Sequence, residues 1–377
     1  MGIIEIMTSI IPIETIRTSL VGWIRESGLS ALPRIDAPAA WQDAWAKCAV
    51  QSTNAATAMI DYQHAYLSGH GTSLIDISLV LLNDGKPAAI WPLTLTLGIK
   101  QQLSSMGAAI QAPHFVAGLS PRTIKKITAA ALRFVQVFQT DNVQQQILSE
   151  EYKTPDIADT GLTEWHQQWM TSGATVSVRH DLYIDLSLTL EQIRASFRKS
   201  YRPLISSGLK LWSVESITQE NINESVWAEF KSLHRQVSGR VTRDDQTWAL
   251  QYQMILRGEA MLIVLRDATN SHRMVGAGFF QMTRDEGVYA VAAYDRELFD
   301  MPVGHVVQMS AIEIMKQRGL RWYRIGERFF PSDTPQPNEK ELAISLFKQG
   351  FATHLLPRFI LNLPLQTSVL SGSAVYK

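Results

Sequence analysis

The chain reads as an α+β protein made of two halves, each a mixed, mostly antiparallel sheet flanked by helices, and three observations lead there. From Met274 to Phe351 the segments run strand, strand, helix, strand and helix, before Lys348-Gln349-Gly350-Phe351 introduces the last strands. The first half carries its own order of helix, hairpin and later helix, an echo that suggests a duplicated domain. Finally, 377 residues exceed one ordinary domain and fit two of about 180, at roughly 100 to 200 residues per domain. The expected division is 1–180 and 181–377, with a linker near 160–182.

Taken in order, residues 1 to about 35 hold an isoleucine-rich amphipathic stretch ending at Leu32-Pro33, expected as a packed helix, with a docking helix as the alternative. Trp41 to about Tyr66 keeps helical spacing. Leu74–Leu82 and Ala88–Leu97 flank Asn83-Asp84-Gly85-Lys86, a strong hairpin turn. Pro121 to Gln139 is a helix opened by Ser120 as cap and proline at the first position. The linker carries Trp165 and Trp169, expected to pack between the halves, the alternative being a stacking platform for a base or sugar. A helix opens at Leu188, and two more follow, one with Val226, Phe230, Leu233 and Val237, the next with Trp248, Tyr252 and Ile255. Met274–Met282 and Val288–Tyr294 form a hairpin around Arg284-Asp285-Glu286-Gly287. Pro302 and Gly304 precede a helix with Val307, Ile314 and Met315 on one face, stopped by Arg318-Gly319. Leu320–Ile325 is a short strand, and after a loop rich in proline Lys340–Phe347 returns to helical spacing.

Lysine plus arginine equals aspartate plus glutamate, 35 each, so no global field draws the chain to DNA or to an anionic membrane. One cysteine, Cys48, excludes an internal disulfide and a multi-cysteine zinc site, and points to a reducing compartment, the cytoplasm by default. Its apolar helical setting makes it an inert buried thiol. No charged segment followed by an apolar core opens the chain, and no uncharged apolar run of about 18 residues spans a bilayer. Gly-x-Ser-x-Gly, a phosphate loop and His-Glu-x-x-His are all missing from the sequence, so hydrolase, nucleotide-loop and zinc chemistries lack their carriers, and no metal is expected.

Two polar constellations remain. Arg194, Arg198 and Arg202, four apart, fall on one helical face just before Pro203, read as the end of that helix. With Tyr201 they form a candidate clamp for the diphosphate of a nucleotide-linked acceptor, because guanidinium forks match phosphate oxygens; a solvated charged face is the alternative. His234, Arg240 and Arg243 crowd an interhelix turn beside Gly239, a candidate acceptor-binding loop, against the plainer reading of a polar joint.

The motifs Val275-Gly276-Ala277-Gly278, Tyr323-Arg324-Ile325-Gly326-Glu327, Phe347-Lys348-Gln349-Gly350-Phe351 and Phe197-Arg198-Lys199-Ser200-Tyr201-Arg202 together resemble the C-terminal half of a GNAT acyltransferase domain, and more closely its FemAB-like branch, whose members carry two such domains. The resemblance covers most of the chain and is strongest from Asp181 onward. It implies transfer of an acyl group to an amine by positioning, with acyl-CoA as co-substrate held near Gly304 and His305 at a helix N-terminus. Met301-Pro302-Val303-Gly304-His305-Val306 keeps one glycine of the CoA-binding pattern, a departure that fits FemAB-like proteins using aminoacyl-tRNA. Glu327, His305 and Tyr294 are the candidates for proton handling, and Lys348 matches the basic residue such enzymes use near the donor. The expected activity is N-acylation of an amino-sugar or cell-envelope precursor; the alternatives are an aminoacyl-tRNA-dependent transferase and a binding protein without turnover.

Overall fold

The computed structural model describes residues 24–97, 101–142, 146–151, 161–267 and 272–364, together with Thr18, Gly22 and Asp156. Most of the isoleucine-rich N-terminal stretch therefore lies outside the described residues. The first half contains β1 (Ser30–Pro33), α1 (Pro38–Ala46), α2 (Thr57–Gly69), β2 (Ser73–Asp76), β3 (Leu79–Asn83), β4 (Lys86–Trp91), β5 (Thr94–Leu97), β6 (Gln102–Ser104), β7 (Ile110–Gln111), β8 (His114–Phe115), α3 (Pro121–Asn142), β9 (Gln146–Glu150) and α4 (Glu164–Thr171). The single helix expected from Trp41 to Tyr66 is thus split, with a 3-10 turn at Thr53–Ala55 between its parts. The expected hairpin forms, with Asp84 and Gly85 both at positive φ, as a two-residue turn requires. Each of its long strands breaks, at Ile77-Ser78 and Pro92-Leu93, so that β3 and β4 join β1 and β8 in one sheet while β2 and β5 join β6 in another.

The second half follows as β10 (Thr175–Asp185), α5 (Leu190–Ser196), α6 (Tyr201–Leu211), β11 (Trp212–Ile217), α7 (Glu224–Ser238), α8 (Asp245–Leu256), β12 (Ala260–Asp267), β13 (Met274–Met282), β14 (Glu286–Tyr294), α9 (Val303–Gln317), β15 (Trp322–Glu327), α10 (Glu339–Gln349) and β16 (His354–Pro364). Strand, strand, helix, strand is realised as β13, β14, α9, β15. One nine-stranded sheet, in the order β11-β12-β13-β14-β15-β10-β16-β9-β7, crosses from one half into the other. The stretch read as a linker is α4 and the first part of β10, and its Trp165 and Trp169 are buried in the first-half core, which Leu361 and Leu363 of β16 complete.

Burial on both faces explains why β12 is a continuous apolar run. Met261, Ile263 and Leu265 point into a core shared with α5, α6 and α9, whereas Leu262 and Val264 meet α7, α8 and, from the first half, Ala58 and Tyr62 of α2. Gly276 and Gly278 let α9 lie close on β13: a Cβ there would stand 2.7 Å from Val303 Cγ1 and 2.8 Å from Val307 Cγ1.

The β13–β14 turn is more than a reversal. Gln51 N–H donates to Asp285 Oδ2 at 2.8 Å and Thr53 N–H to the buried Glu286 at 2.7 Å. Thr283 Oγ1 donates to Gln51 O at 2.6 Å, and Arg284 donates to the carbonyls of Ala46 and Cys48. The turn fastens the second half to the first.

Candidate active site

Strands β14 and β15 run parallel and pair only at their beginnings, Glu286 with Trp322, Gly287 with Tyr323 and Val288 with Arg324. Beyond those three pairs both strands continue while their register ends, so a gap opens between Tyr289–Tyr294 and Ile325–Glu327. Parting strands leave backbone groups free to receive a ligand, and the gap is filled from below by hydroxyls. Tyr289 and Tyr294 share a hydrogen bond of 2.8 Å, and Tyr323 donates to Gln308 Oε1 of α9 at 2.5 Å. Burial pushes the Tyr289 phenol up to about 12 and raises those of Tyr294 and Tyr323 well above their ordinary value, so all three remain protonated at neutral pH.

Lys348, at the end of α10, reaches over this cluster with its Nζ 5.5 Å from the Tyr289 ring centre. No carboxylate pairs with it among the described residues. Burial and the neighbouring Arg324 lower its pKa, the response of a cation deprived of water and anion. Gly326 makes the room: its φ is +143°, and a Cβ there would lie 2.5 Å from Lys348 Nζ and 3.0 Å from its Cδ. Arg324 also touches Asn54 of the first half, so the gap sits at the seam between the halves.

Of the residues singled out in the sequence, Tyr294 and Lys348 come together here, with Gly304 packed beside Tyr294; the others are committed elsewhere. Glu327, read as a proton acceptor, is bound by Arg358, which is buried and also holds Glu150 and, at 3.0 Å, Asp181; a carboxylate committed to that cluster is not the base. The arginine stripe is broken. Helix α5 stops at Phe197, whose ψ of 152° is extended, because its ring packs on Phe351, and α6 restarts at Tyr201 with Pro203 inside its first turn rather than ending a helix. Arg198 donates to Leu346 O at 3.1 Å and Arg202 to Ala195 O at 2.5 Å. Arg194 faces Glu313. Tyr201 is buried and gives its hydroxyl to Phe347 O at 3.1 Å, so it braces the end of α10 under Lys348 instead of meeting a ligand.

Gly304 and His305 were expected to cradle a donor phosphate, and the geometry does not fit. Pro302 has no N–H, and that of Val303 donates to Met301 O at 2.8 Å, which removes two of the donors such a cradle needs. His305 is boxed by Tyr201, Phe347 and Phe351, and burial together with Arg198 lowers it to about 4. It is a neutral packing residue.

Sequence reasoning missed Tyr289, Gln308, Tyr323 and Arg324. Tyr294 follows Tyr289 by five positions, a spacing that puts them on opposite faces of a regular strand. A β-bulge corrects this: Phe279 opposes Val291 and Phe280 opposes Tyr289, leaving Ala290 as the extra residue.

A second constellation lies apart from the gap, in an open cleft of about 520 Å³ between α7 and α8, lined by His234, Arg240 and Arg243 among others. These three are brought together as the sequence spacing implied.

Among the described residues no group of three or more histidine, cysteine, aspartate or glutamate side chains could hold a metal ion, and no helix is long and apolar enough to cross a membrane. Cys48 is buried, and burial raises its thiol to about 12.

No protein-family model matches the chain, and no curated protein matches it. Solved structures do. FemX is similar with a TM-score of 0.60 and 12% identity, over 85% of this chain and 95% of that one. A conserved protein of unknown function from Bacteroides thetaiotaomicron is similar with a TM-score of 0.51 and 12% identity, over 86% and 97%. The C-terminal domain of a putative lysylphosphatidylglycerol synthetase from Agrobacterium fabrum is similar with a TM-score of 0.50 and 10% identity, over 92% of each chain. The chain shares the α+β fold of these structures, FemX among them, as the resemblance implied.

Proposed function

We propose that the protein is a transferase that moves an acyl or aminoacyl group from an activated ester or thioester to the amine of an amino-sugar or cell-envelope precursor, in the cytoplasm, at the gap between β14 and β15. The observation that carries this reading is an ion-pair-free lysine, Lys348, set over a chain of protonated tyrosines where two parallel strands part. The reading takes 1–180 and 181–377 as two domains that share core residues, Leu361 and Leu363 of the second packing in the core of the first.

In the reaction the amine nitrogen attacks the carbonyl carbon and a C–N bond forms. Lys348 donates to the oxygen that becomes negative, the step at which fixed donors count most. The C–S or C–O bond then breaks, and the Tyr289–Tyr294 pair supplies a proton to the leaving atom, while the nucleophile's proton departs to solvent, from which the phenol is reprotonated. Acyl-CoA is the donor favoured by the even charge balance, since a tRNA contact needs a basic footprint. The reduced cradle at α9 favours a second reading, an aminoacyl ester, and the likeness of fold to FemX and to a putative lysylphosphatidylglycerol synthetase domain agrees with it.

The test is a mass-spectrometric search for N-acylated product with acetyl-CoA or aminoacyl-tRNA as donor and nucleotide-linked amino sugars as acceptors. Product in either arm, lowered about 100-fold in kcat by Tyr294→Phe, is the expected result. Ligand binding without product in both arms would leave a binding protein and sink the transferase reading.

A further inference from the structure

We propose that the cleft between α7 and α8 is a binding site for the phosphoryl group of a small ligand, a phosphate monoester or diphosphate, separate from the β14–β15 gap and independent of whether acyl transfer occurs there. Three observations converge on this. The first is an excess of positive charge. Lys231, Arg235, Arg240 and Arg243 line the cleft against two carboxylates, Asp244 and Asp245. Both carboxylates are engaged: Asp245 pairs with Lys231 at 3.1 Å, and Asp244 caps α8 by accepting from Thr247 N–H at 2.8 Å. Arg235 and Arg240 have no side-chain partner among the described residues.

The second is that one guanidinium is fixed in advance. Arg243 Nε donates to Tyr62 Oη of α2 at 2.9 Å, and its Nη1 donates to His234 Nε2 and Thr242 Oγ1, both at 3.2 Å. The rings of Trp248 and Tyr66 flank it, 5.5 and 5.9 Å away. Its Nη2 donors carry no partner among the described residues. A guanidinium held by packing loses little freedom on meeting a phosphate, and its planar donors match phosphate oxygens. His234 is the third: burial and Arg243 lower it to about 4, so at neutral pH it is an acceptor that orients Arg243 and does not repel it.

A scattered surface charge would show none of this bracing. The neutral His234, the paired Asp245 and the capping Asp244 leave the guanidinium groups of Arg235 and Arg240 and the Nη2 donors of Arg243 facing one open volume. The size of the cleft suits a small phosphorylated molecule, and the even overall charge of the chain gives no extended track for a nucleic-acid backbone.

Calorimetric titration of the full chain with inorganic pyrophosphate, and in a second arm with a nucleoside-diphosphate sugar, tests the proposal. Saturable binding is expected in at least one arm, weakening as salt rises. The double variant Arg235→Gln/Arg240→Gln should bind about tenfold or more weakly, since a hydrogen bond to a charged partner is worth about that factor or more, with an unchanged melting temperature because both side chains are exposed. Lys199→Gln, an exposed charge outside the cleft, should bind as the parent does. No binding in either arm, or equal binding by the parent and the double variant, would overturn the proposal. Selective capture of a single-stranded RNA oligomer over both small ligands would overturn the small-ligand assignment.

Discussion

Lys348 is an ammonium kept where an ammonium is costly. Half-buried, beside Arg324 and without a carboxylate, it lowers its own pKa, and a group whose charged form is disfavoured by the fold makes the fold less stable wherever it remains charged. For a lysine with a depressed pKa, this penalty is present below the folded pKa and disappears as pH rises to the unfolded value. Lys348→Met is therefore expected to raise the melting temperature at neutral pH and, in a product assay, to lower kcat about 100-fold, the effect of losing one oxyanion donor. A variant that loses stability as well as activity would mean that the lysine is a packing residue. Gly326→Ala should mimic the activity loss in part, because its Cβ would press on the lysine stem.

The β13–β14 turn makes an equally definite claim for an element. Glu286 receives the Thr53 N–H in a buried setting, so Glu286→Ala leaves that donor unpaired, at a cost of about 1–3 kcal/mol. Thr53→Ala keeps the backbone bond and should cost much less, and denaturant melts of the two variants compare them directly. Both hairpins were legible because turn chemistry and alternation are local signals. Helix α9 and its stop at Gly319 were legible for the same reason. What sequence spacing could not carry was any feature set by a distant partner: the broken arginine face follows from Phe197 packing on Phe351, the use of Glu327 from Arg358 thirty-one residues on, and the tyrosine pair from one bulged alanine. Lys348 was found because it sits in a motif; Tyr289 was missed because periodicity pointed it the other way.

For the whole molecule, three histidines govern acid behaviour. His114, His234 and His305 are each lowered to about 4, chiefly by burial. A folded pKa below the unfolded value of about 6.5 means that the unfolded chain takes up protons first, so stability is fully present above about 6.5 and declines as pH falls toward 4. Glu150, Glu259 and Glu313, raised by burial, act in the opposite sense, and replacing the three histidines by glutamine separates the two contributions. Melting temperatures between pH 7 and pH 4 are expected to fall, and a flat profile would show that these imidazoles protonate without unfolding. Strand β16 places a different constraint on the chain, one of timing. It lies between β10 and β9 and completes the first-half core with Leu361 and Leu363, yet a ribosome makes it after every other described strand. The first half, though synthesised first, must wait with its core open and two sheet edges bare until residue 363 has emerged, so it depends on chaperones or on speed where an ordinary N-terminal domain would already be closed.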